Sequence, residues 1–417
     1  MKIDKPRGTR DFLPEDMEKR REIERIMRDI AEKYGYREIL TPTFEHVELF
    51  TLKSGEEITK EMYTFRDKSG RMMALRPELT APVTRMFVNS CSVMPKPLRF
   101  YYFTNCFRYE RPQRGRYREF WQFGVELIGS NSYLADLEVI TLAYEILNEL
   151  KIKFNLEIGH VGLMRSILAD LDDTTSSKIM RLIDKRDIET LDHYLNQKKI
   201  SDDIRNKIFQ LIEMRGGLEI LDEAKKIVDF DIGNLRNLGD SLYKLGIDFE
   251  FNLGIARGLD YYTGVVFECY AENLGSQNQI CGGGSYELAH LFGGEKIPAT
   301  GFAIGFDRVC ELSKPKKPKS PVVAVISFRG FEILGFKISE ELRKHGLITI
   351  VDVMERSIKK QLSYANDVKA DYAIILGENE VKSGLVSIKN LSTGEQFMME
   401  LKDAITYITT SHAKKKE

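Results

Sequence analysis

Apolar residues recur along the chain first at helical spacing and then with the alternation of paired strands. Ile23, Ile26, Met27, Ile30, Ala31 and Tyr34 share one face of a helix predicted over Glu15 to Tyr34, and Gly35 is a natural stop. Glu38 to Glu45 reads as a short strand that Pro42 confines to an edge or to a break in pairing. Met62 to Arg66 and Arg71 to Leu75 flank Asp67-Lys68-Ser69-Gly70, which is turn chemistry for a hairpin. The returning strand closes at Arg76-Pro77, and a helix is predicted from there to Val88. Glu78 and Thr80 stand near its start, where an acid and a hydroxyl cap free amides. A second hairpin joins Cys106 to Arg111 with Phe120 to Glu126 through Pro112-Gln113-Arg114-Gly115-Arg116.

A helix over Tyr133 to Leu150 and a strand over Phe154 to Gly159 follow. From about residue 165 to 245 the pattern is polar and helical with no strand alternation, which predicts an all-helical insertion. Strands resume at Phe249 and continue through Val265 to Tyr270 and Cys281 to Tyr286. Gly282, Gly283 and Gly284 in that setting mark either a tight turn or a place where something approaches the backbone closely. Lys314 to Pro321 alternates lysine with proline and reads as a linker, dividing a domain over 1–318 from one over 319–417. Beyond it, strands at Val322 to Ser327, Ile348 to Val353, Tyr372 to Leu376, Leu385 to Ile388 and Phe397 to Leu401 are predicted. Helices at Ile333 to His345, Ile358 to Lys369 and Ala404 to Thr409 lie among and after them. This alternation predicts a small α/β domain with a mostly parallel sheet, and a tail from Ser411 to Glu417 without regular structure.

The second hairpin carries the chemistry. Its strands and loop set arginines and carboxylates between aromatics, where a purely structural hairpin would keep one face apolar. Such a mixture suits a triphosphate and a purine. No Gly-x-x-x-x-Gly-Lys-Ser/Thr loop and no strand followed by Gly-x-Gly-x-x-Gly occurs, so phosphate must be held by arginines. Phe107-Arg108-Tyr109-Glu110 with the strand returning to Glu126 resembles the second motif of class II aminoacyl-tRNA synthetases. Gly301-Phe302-Ala303-Ile304-Gly305-Phe306-Asp307-Arg308 resembles the third, and the helix, strand and proline before Glu45 resemble the first. Within that class, Ala256-Arg257-Gly258-Leu259-Asp260-Tyr261-Tyr262-Thr263-Gly264 is similar to the histidine-specific segment of histidyl-tRNA synthetases.

The resemblance implies an α+β fold: a class II antiparallel sheet core with helices and a helical insertion, then an α/β anticodon-binding domain. It implies ATP with Mg, L-histidine and tRNA as substrates, and a homodimer formed through the first motif. Arg108 and Arg257 would act on the α-phosphate and the histidine carboxylate. Phe120 would stack on adenine, Glu110 would meet its exocyclic amine, and Arg116 and Arg308 would hold the distal phosphates with magnesium. Glu78, Thr80 and Gln122 would take the α-ammonium group. Neutral imidazole needs one acceptor and one donor. Glu126 suits its N–H, and the hydroxyl of Tyr262, with Tyr261 beside it, suits the other nitrogen. Arg111, Gln113 and Arg114 would approach the tRNA acceptor end. Lys178, Arg181, Lys185, Arg186, Lys198 and Lys199 on the insertion fit a solvated face or a contact with the acceptor stem.

Composition narrows the classes. At 417 residues and 42% hydrophobic the chain has ample material for two or three cores. No apolar run approaches the roughly 18 residues of a spanning helix. The start, Met1 to Arg7, lacks the apolar stretch of a signal peptide, so a cytoplasmic protein is expected. A net charge of −1 confines any RNA contact to local patches. Five widely spaced cysteines without Cys-x-x-Cys predict reduced thiols and no zinc site, and six scattered histidines predict no catalytic histidine. Three other readings are a catalytically inactive synthetase-like regulatory paralogue, a synthetase for another amino acid, and an RNA-binding scaffold. Retention of the arginines and of the C-terminal domain argues against the first. The Arg257 to Gly264 segment argues against the second. The third has no need of Glu78, Glu126 and Tyr262.

Overall fold

The computed structural model describes residues 3–52, 61–113, 115–255, 261–272, 274, 278–315 and 320–414, with side chains to 411. The chain divides into two compact units, Met1–Pro315 and Lys316–Glu417. The expected boundary at 318/319 falls outside the described residues.

The first unit opens with the helix Pro14–Lys33, within a residue of expectation at each end. Pro14 presets its first turn, the Leu13 amide donates to Asp16 Oδ2 at 3.1 Å, and Gly35 leaves it at φ +83°. The strand expected over Glu38 to Glu45 is instead two: β1, Arg37–Glu38, and β2, Phe44–His46, in different sheets. Between them the carbonyls of Thr41 and Pro42 accept from Arg76 Nη1 at 2.8 and 3.1 Å. A buried guanidinium thus takes up backbone groups that proline withdraws from pairing. β3, Thr64–Arg66, and β4, Met72–Leu75, complete a three-stranded sheet in the order β2-β4-β3. Asp67 Oδ1 accepts from the amides of Ser69 and Arg71, both at 2.9 Å, and closes the turn as expected.

The large sheet holds β5, Leu98–Phe107; β6, Glu119–Ile128; β7, Phe154–His160; β8, Arg215–Gly216; β9, Glu250–Asn252; β10, Tyr262–Ala271; β11, Gln279–Tyr286; and β12, Ala299–Gly305. Their order is β1-β5-β6-β12-β11-β10-β7-β9-β8, antiparallel from β5 to β7. Alternation sorts β6 into two faces. Trp121, Phe123, Val125 and Leu127 turn to the core, where Phe123 and Val125 are fully buried. Phe120, Gln122, Gly124 and Glu126 turn to the opposite face.

The insertion is helical at Val161–Ile167, Asp173–Asp184, Ile188–Gln197, Asp202–Glu213, Glu219–Ala224 and Gly233–Lys244. It contains β8, which sequence patterning does not anticipate; two residues are too few to alternate. Lys178, Lys185, Arg186, Lys198 and Lys199 are exposed.

Gly283 and Gly284 lie inside β11 and form no turn. A Cβ at Gly283 would fall on the Gly301 carbonyl oxygen, and one at Gly284 (φ +152°) on that of Val265. Close approach is therefore the reason for these glycines, and the approaching groups are the backbones of the flanking strands.

The second unit has β13, Val322–Ser327; β14, Ile348–Val351; β15, Tyr372–Leu376; β16, Val386–Asn390; and β17, Gln396–Met399, in the order β14-β13-β15-β16-β17. Helices Glu332–Lys344 and Ile358–Asp367 make the parallel crossovers. β16 and β17 are antiparallel, so the sheet is mixed where a mostly parallel one is expected. A single short helix, Glu378–Ser383, separates β15 from β16 and cannot carry a crossover. The helix Leu401–Lys414 also takes in the first four residues of the expected irregular tail.

Candidate active site

The exposed face of the large sheet bears two clefts that share Arg108, Gln122, Gly282 and Ala303. One, of about 240 Å³, is lined by Arg108, Glu110, Arg116, Phe120 and Arg308 among others, which are the five residues expected to bind ATP. The other, of about 70 Å³, is lined by Glu78, Thr80, Arg108, Gln122, Glu126, Tyr261 and Tyr262, the described members of the expected histidine set. Arg257 and Arg114 lie outside the described residues. Gln113 is held in the loop by paired backbone hydrogen bonds with Arg116, 3.1 and 2.9 Å, across Gly115 at φ +73°. Arg111 lies beside it in the same loop.

Register explains the gathering in the larger cleft. Arg108 continues β5 beyond its end, its amide donating to the Arg118 carbonyl at 3.0 Å. Its Nε donates to the Pro77 carbonyl at 3.0 Å, and its guanidinium carbon lies 5.1 Å from the Phe120 ring centroid. Arg116 and Glu110 pair at 2.5 Å, so the acid expected to meet adenine is held by the loop arginine. Arg308 Nε donates to the Gly115 carbonyl at 3.0 Å and Nη1 to that of Gln279 at 2.5 Å. Burial, then Arg116 and Arg108, lower its pKa, which marks a cleft rich in positive charge. Neighbouring Asp307 is structural. It accepts from Arg20 Nη1 at 2.6 Å and from the Trp121 amide at 2.7 Å, tying the first helix to β6.

The smaller cleft is lined with acid. Glu78 accepts from the amides of Thr80 and Ala81 at 2.7 and 3.1 Å where the helix Thr80–Met86 begins, so the capping reading holds for the acid but not for the Thr80 hydroxyl, which turns to Glu126. The same carboxyl also lines the cleft, and burial raises its pKa in spite of those bonds. Thr80 Oγ1 donates to Glu126 Oε1 at 3.1 Å, which leaves its lone pairs as acceptors. Glu126 Oε2 accepts from the Tyr286 hydroxyl at 2.7 Å. Burial pushes Glu126 up to about 8 against both donors, with Glu78 adding to the shift. Gln122 Oε1 accepts from the Cys106 thiol at 3.3 Å; burial raises that thiol to about 12, so it stays a donor. Tyr261 and Tyr262 are buried with ring centroids 4.9 Å apart.

Three contributors escape sequence reasoning. Tyr286, 2% exposed, and Tyr102, also 2%, line the smaller cleft. A Cβ at Gly301 would fall on the Glu126 carboxylate. The signal available for Tyr286 is its place at the end of the glycine run; Tyr102 sits in an aromatic stretch where nothing distinguishes it from core.

An antiparallel sheet whose hairpin arginine and third-motif arginine face one cleft defines a class II aminoacyl-tRNA synthetase. The sequence pattern described as Histidyl-tRNA synthetase matches residues 8–309, and one described as Anticodon binding domain matches residues 322–411. A histidine–tRNA ligase of Archaeoglobus fulgidus is 63% identical over 96% of this chain and 98% of its own. One of Methanosarcina acetivorans is 48% identical over 98% and 99%. The crystal structure of apo S. aureus histidyl-tRNA synthetase superposes with a TM-score of 0.71 at 27% identity, over 98% of this chain and all of the other. The chain belongs to the histidyl-tRNA synthetase family.

Proposed function

We propose that the protein is a histidine–tRNA ligase that activates L-histidine with MgATP and transfers it to the 3′ end of a histidine tRNA. The observation that carries this reading is the pair of adjoining clefts, one cationic and one acidic, that meet at Arg108 and Gln122. In the first step a histidine carboxylate oxygen attacks the α-phosphorus of ATP, the bond to the β-phosphate breaks, and pyrophosphate leaves. In the second, the terminal ribose hydroxyl of the tRNA attacks the histidyl carbonyl and AMP departs. Negative charge gathers on phosphate oxygens in the first step, so fixed cations are the main catalytic device. Arg108 at the junction meets the α-phosphate and the carboxylate, a role that the family resemblance extends to Arg257. Arg116 and Arg308 hold the outer phosphates. Magnesium would enter with the nucleotide, whose phosphate oxygens supply most of its ligands.

Phe120 offers adenine a ring face and Glu110 an acceptor for its amine. Glu78, Thr80 and the Gln122 carbonyl present acceptors to the ammonium group. Glu126 and a tyrosine hydroxyl, that of Tyr262, read the two imidazole nitrogens. Arg111, Gln113 and Arg114 approach the acceptor end, while the module at 322–411 takes the anticodon. No described helix is long and apolar enough to cross a membrane; the similarity to histidine–tRNA ligases supports a cytoplasmic site of action.

The test is pyrophosphate exchange into ATP with each of the twenty amino acids. Exchange with histidine alone is expected. Exchange with none would favour the inactive regulatory paralogue, and exchange with another amino acid would mean that the acidic cleft reads a different side chain.

A homodimer completes the reading. Leu40, Phe44 and Phe65 are 76%, 52% and 41% exposed in and beside the three-stranded sheet, and the two phenyl rings lie 6.0 Å apart. Such apolar surface fits a symmetric interface. Sedimentation equilibrium is expected to give twice the 48.0 kDa chain mass, and a single-chain mass at micromolar concentration would remove this part.

A further inference from the structure

Tyr286 bonds to Glu126, yet the strand that carries it is poorly secured on one side. β10 and β11 pair Tyr262 with Tyr286 and then Val266 with Gly284, four steps along one strand against two along the other. The ladder is therefore open beside Ser285. A cavity of about 160 Å³ lies beside this irregular stretch, lined by Thr263, Gly264, Ser285 and Tyr286 with His160 and Asp136. On its other edge the segment pairs regularly with β12, Ser285 opposite Thr300 and Tyr286 opposite Ala299.

What spans the open side is a hydrogen bond. Ser285 Oγ donates to Asp136 Oδ1 at 2.7 Å. Asp136 lies in the first turn of the helix Tyr133–Glu149, which Ser132 caps by accepting from the Leu134 amide. Burial pushes the Asp136 carboxyl up to about 6, and the hydroxyls of Thr300 and Ser285 oppose that rise. Ser285 turns to the helix side of the sheet, and Tyr286, one residue on, turns to the cleft. A pull on Ser285 from behind thus sets the height of the Tyr286 hydroxyl in front.

We propose that Asp136 is a positioning residue for histidine binding, acting through Ser285 to hold Tyr286 against Glu126. The proposal rests on the histidine ligase reading. Loss of the Asp136 acceptor or the Ser285 donor lets the open segment of β11 shift, and the Glu126 carboxyl loses a fixed donor. ATP, bound in the neighbouring cleft, should not sense the change.

Asp136→Ala, Ser285→Ala, the double variant and Asp136→Asn would be compared with the wild-type protein in histidine-dependent exchange. Each alanine variant is expected to raise KM for histidine about tenfold, as removal of one hydrogen bond to a charged group allows. KM for ATP and kcat should stay within about twofold. The double variant should be no worse than Asp136→Ala alone, because that substitution already removes the bond to Ser285. Asparagine keeps an acceptor oxygen and should recover most of the affinity. An unchanged KM for histidine, additive effects, or an equal rise in KM for ATP would overturn the proposal. Should Asp136→Ala fail to fold, the milder Ser285→Ala decides alone. A wild-type protein without histidine-dependent exchange would overturn the ligase reading and this proposal together, whereas an active wild type with indifferent variants would overturn this proposal only.

Discussion

Arg108→Ala is expected to lower kcat for histidine-dependent pyrophosphate exchange by about 10²- to 10³-fold, the usual cost of removing one preorganised charge-stabilising donor. Arg108 is the one arginine among the described residues that lines both clefts. Its Nε is held by the Pro77 carbonyl and its plane lies near the Phe120 ring, so the terminal nitrogens are aimed before substrate arrives. That preorganisation separates a catalytic cation from a surface one. Arg108→Lys should recover little, because an ammonium cannot fork between a phosphate and a carboxylate oxygen. Arg108 is partly exposed and outside the buried core, so thermal unfolding should change by only a few degrees. A loss below about fivefold in kcat, with ATP and histidine affinities intact, would exclude Arg108 from the reacting centre.

Sequence patterning located most elements because the relevant periods are local. The helix Pro14–Lys33 shows its buried face in residues three and four apart, and β6 shows alternation over ten residues. What patterning missed depends on tertiary partners. Pro42 signals a break in pairing, but nothing local indicates that the two halves join different sheets or that Arg76, far along the chain, binds the Thr41 and Pro42 carbonyls between them. The direction of β16 likewise follows from how little chain separates it from β15.

The site shows the same division. Arg108, Glu110, Arg116, Phe120, Gln122 and Glu126 were legible because one hairpin carries them all at fixed intervals. From their own surroundings Thr80 and Glu78 read as a helix cap, and only the family resemblance pointed to a binding role; that Thr80 also donates to Glu126 at 3.1 Å is a tertiary contact without a local signal. Tyr286 and Tyr102 were not legible, since a buried tyrosine next to a pocket and one in a core have the same sequence surroundings. Asp136 was silent for a like reason: an acid in the first turn of a helix is ordinary, and only burial and the bond to Ser285 make it otherwise.

Histidine recognition should therefore be pH-dependent through Glu126, and the sign is fixed by burial. The fold holds this carboxyl up to about 8 from a reference of 4.5, so it is mostly protonated at neutral pH and ionises as pH rises through 8. An ionised carboxylate is the stronger acceptor for an imidazole N–H. kcat/KM for histidine is thus expected to rise up to pH 8 and level off above it. Free histidine also loses its imidazolium charge near pH 6.5, so the wild-type curve should carry two inflections. Glu126→Gln should remove the upper one, keep the lower one, and cost about 10- to 100-fold in kcat/KM at pH 8.5. Linkage supplies an independent check. Because the native state holds this proton when the unfolded chain has released it, the contribution of Glu126 to stability falls as pH rises from about 4.5 to 8. Glu126→Gln should accordingly stabilise the empty protein at pH 8.5 more than at pH 5, while histidine should raise Tm less in the variant than in the wild type. A wild-type profile with only the lower inflection, together with a variant no more stable at alkaline pH, would show that Glu126 is already ionised without histidine and that the donors Tyr286 and Thr80 outweigh its burial.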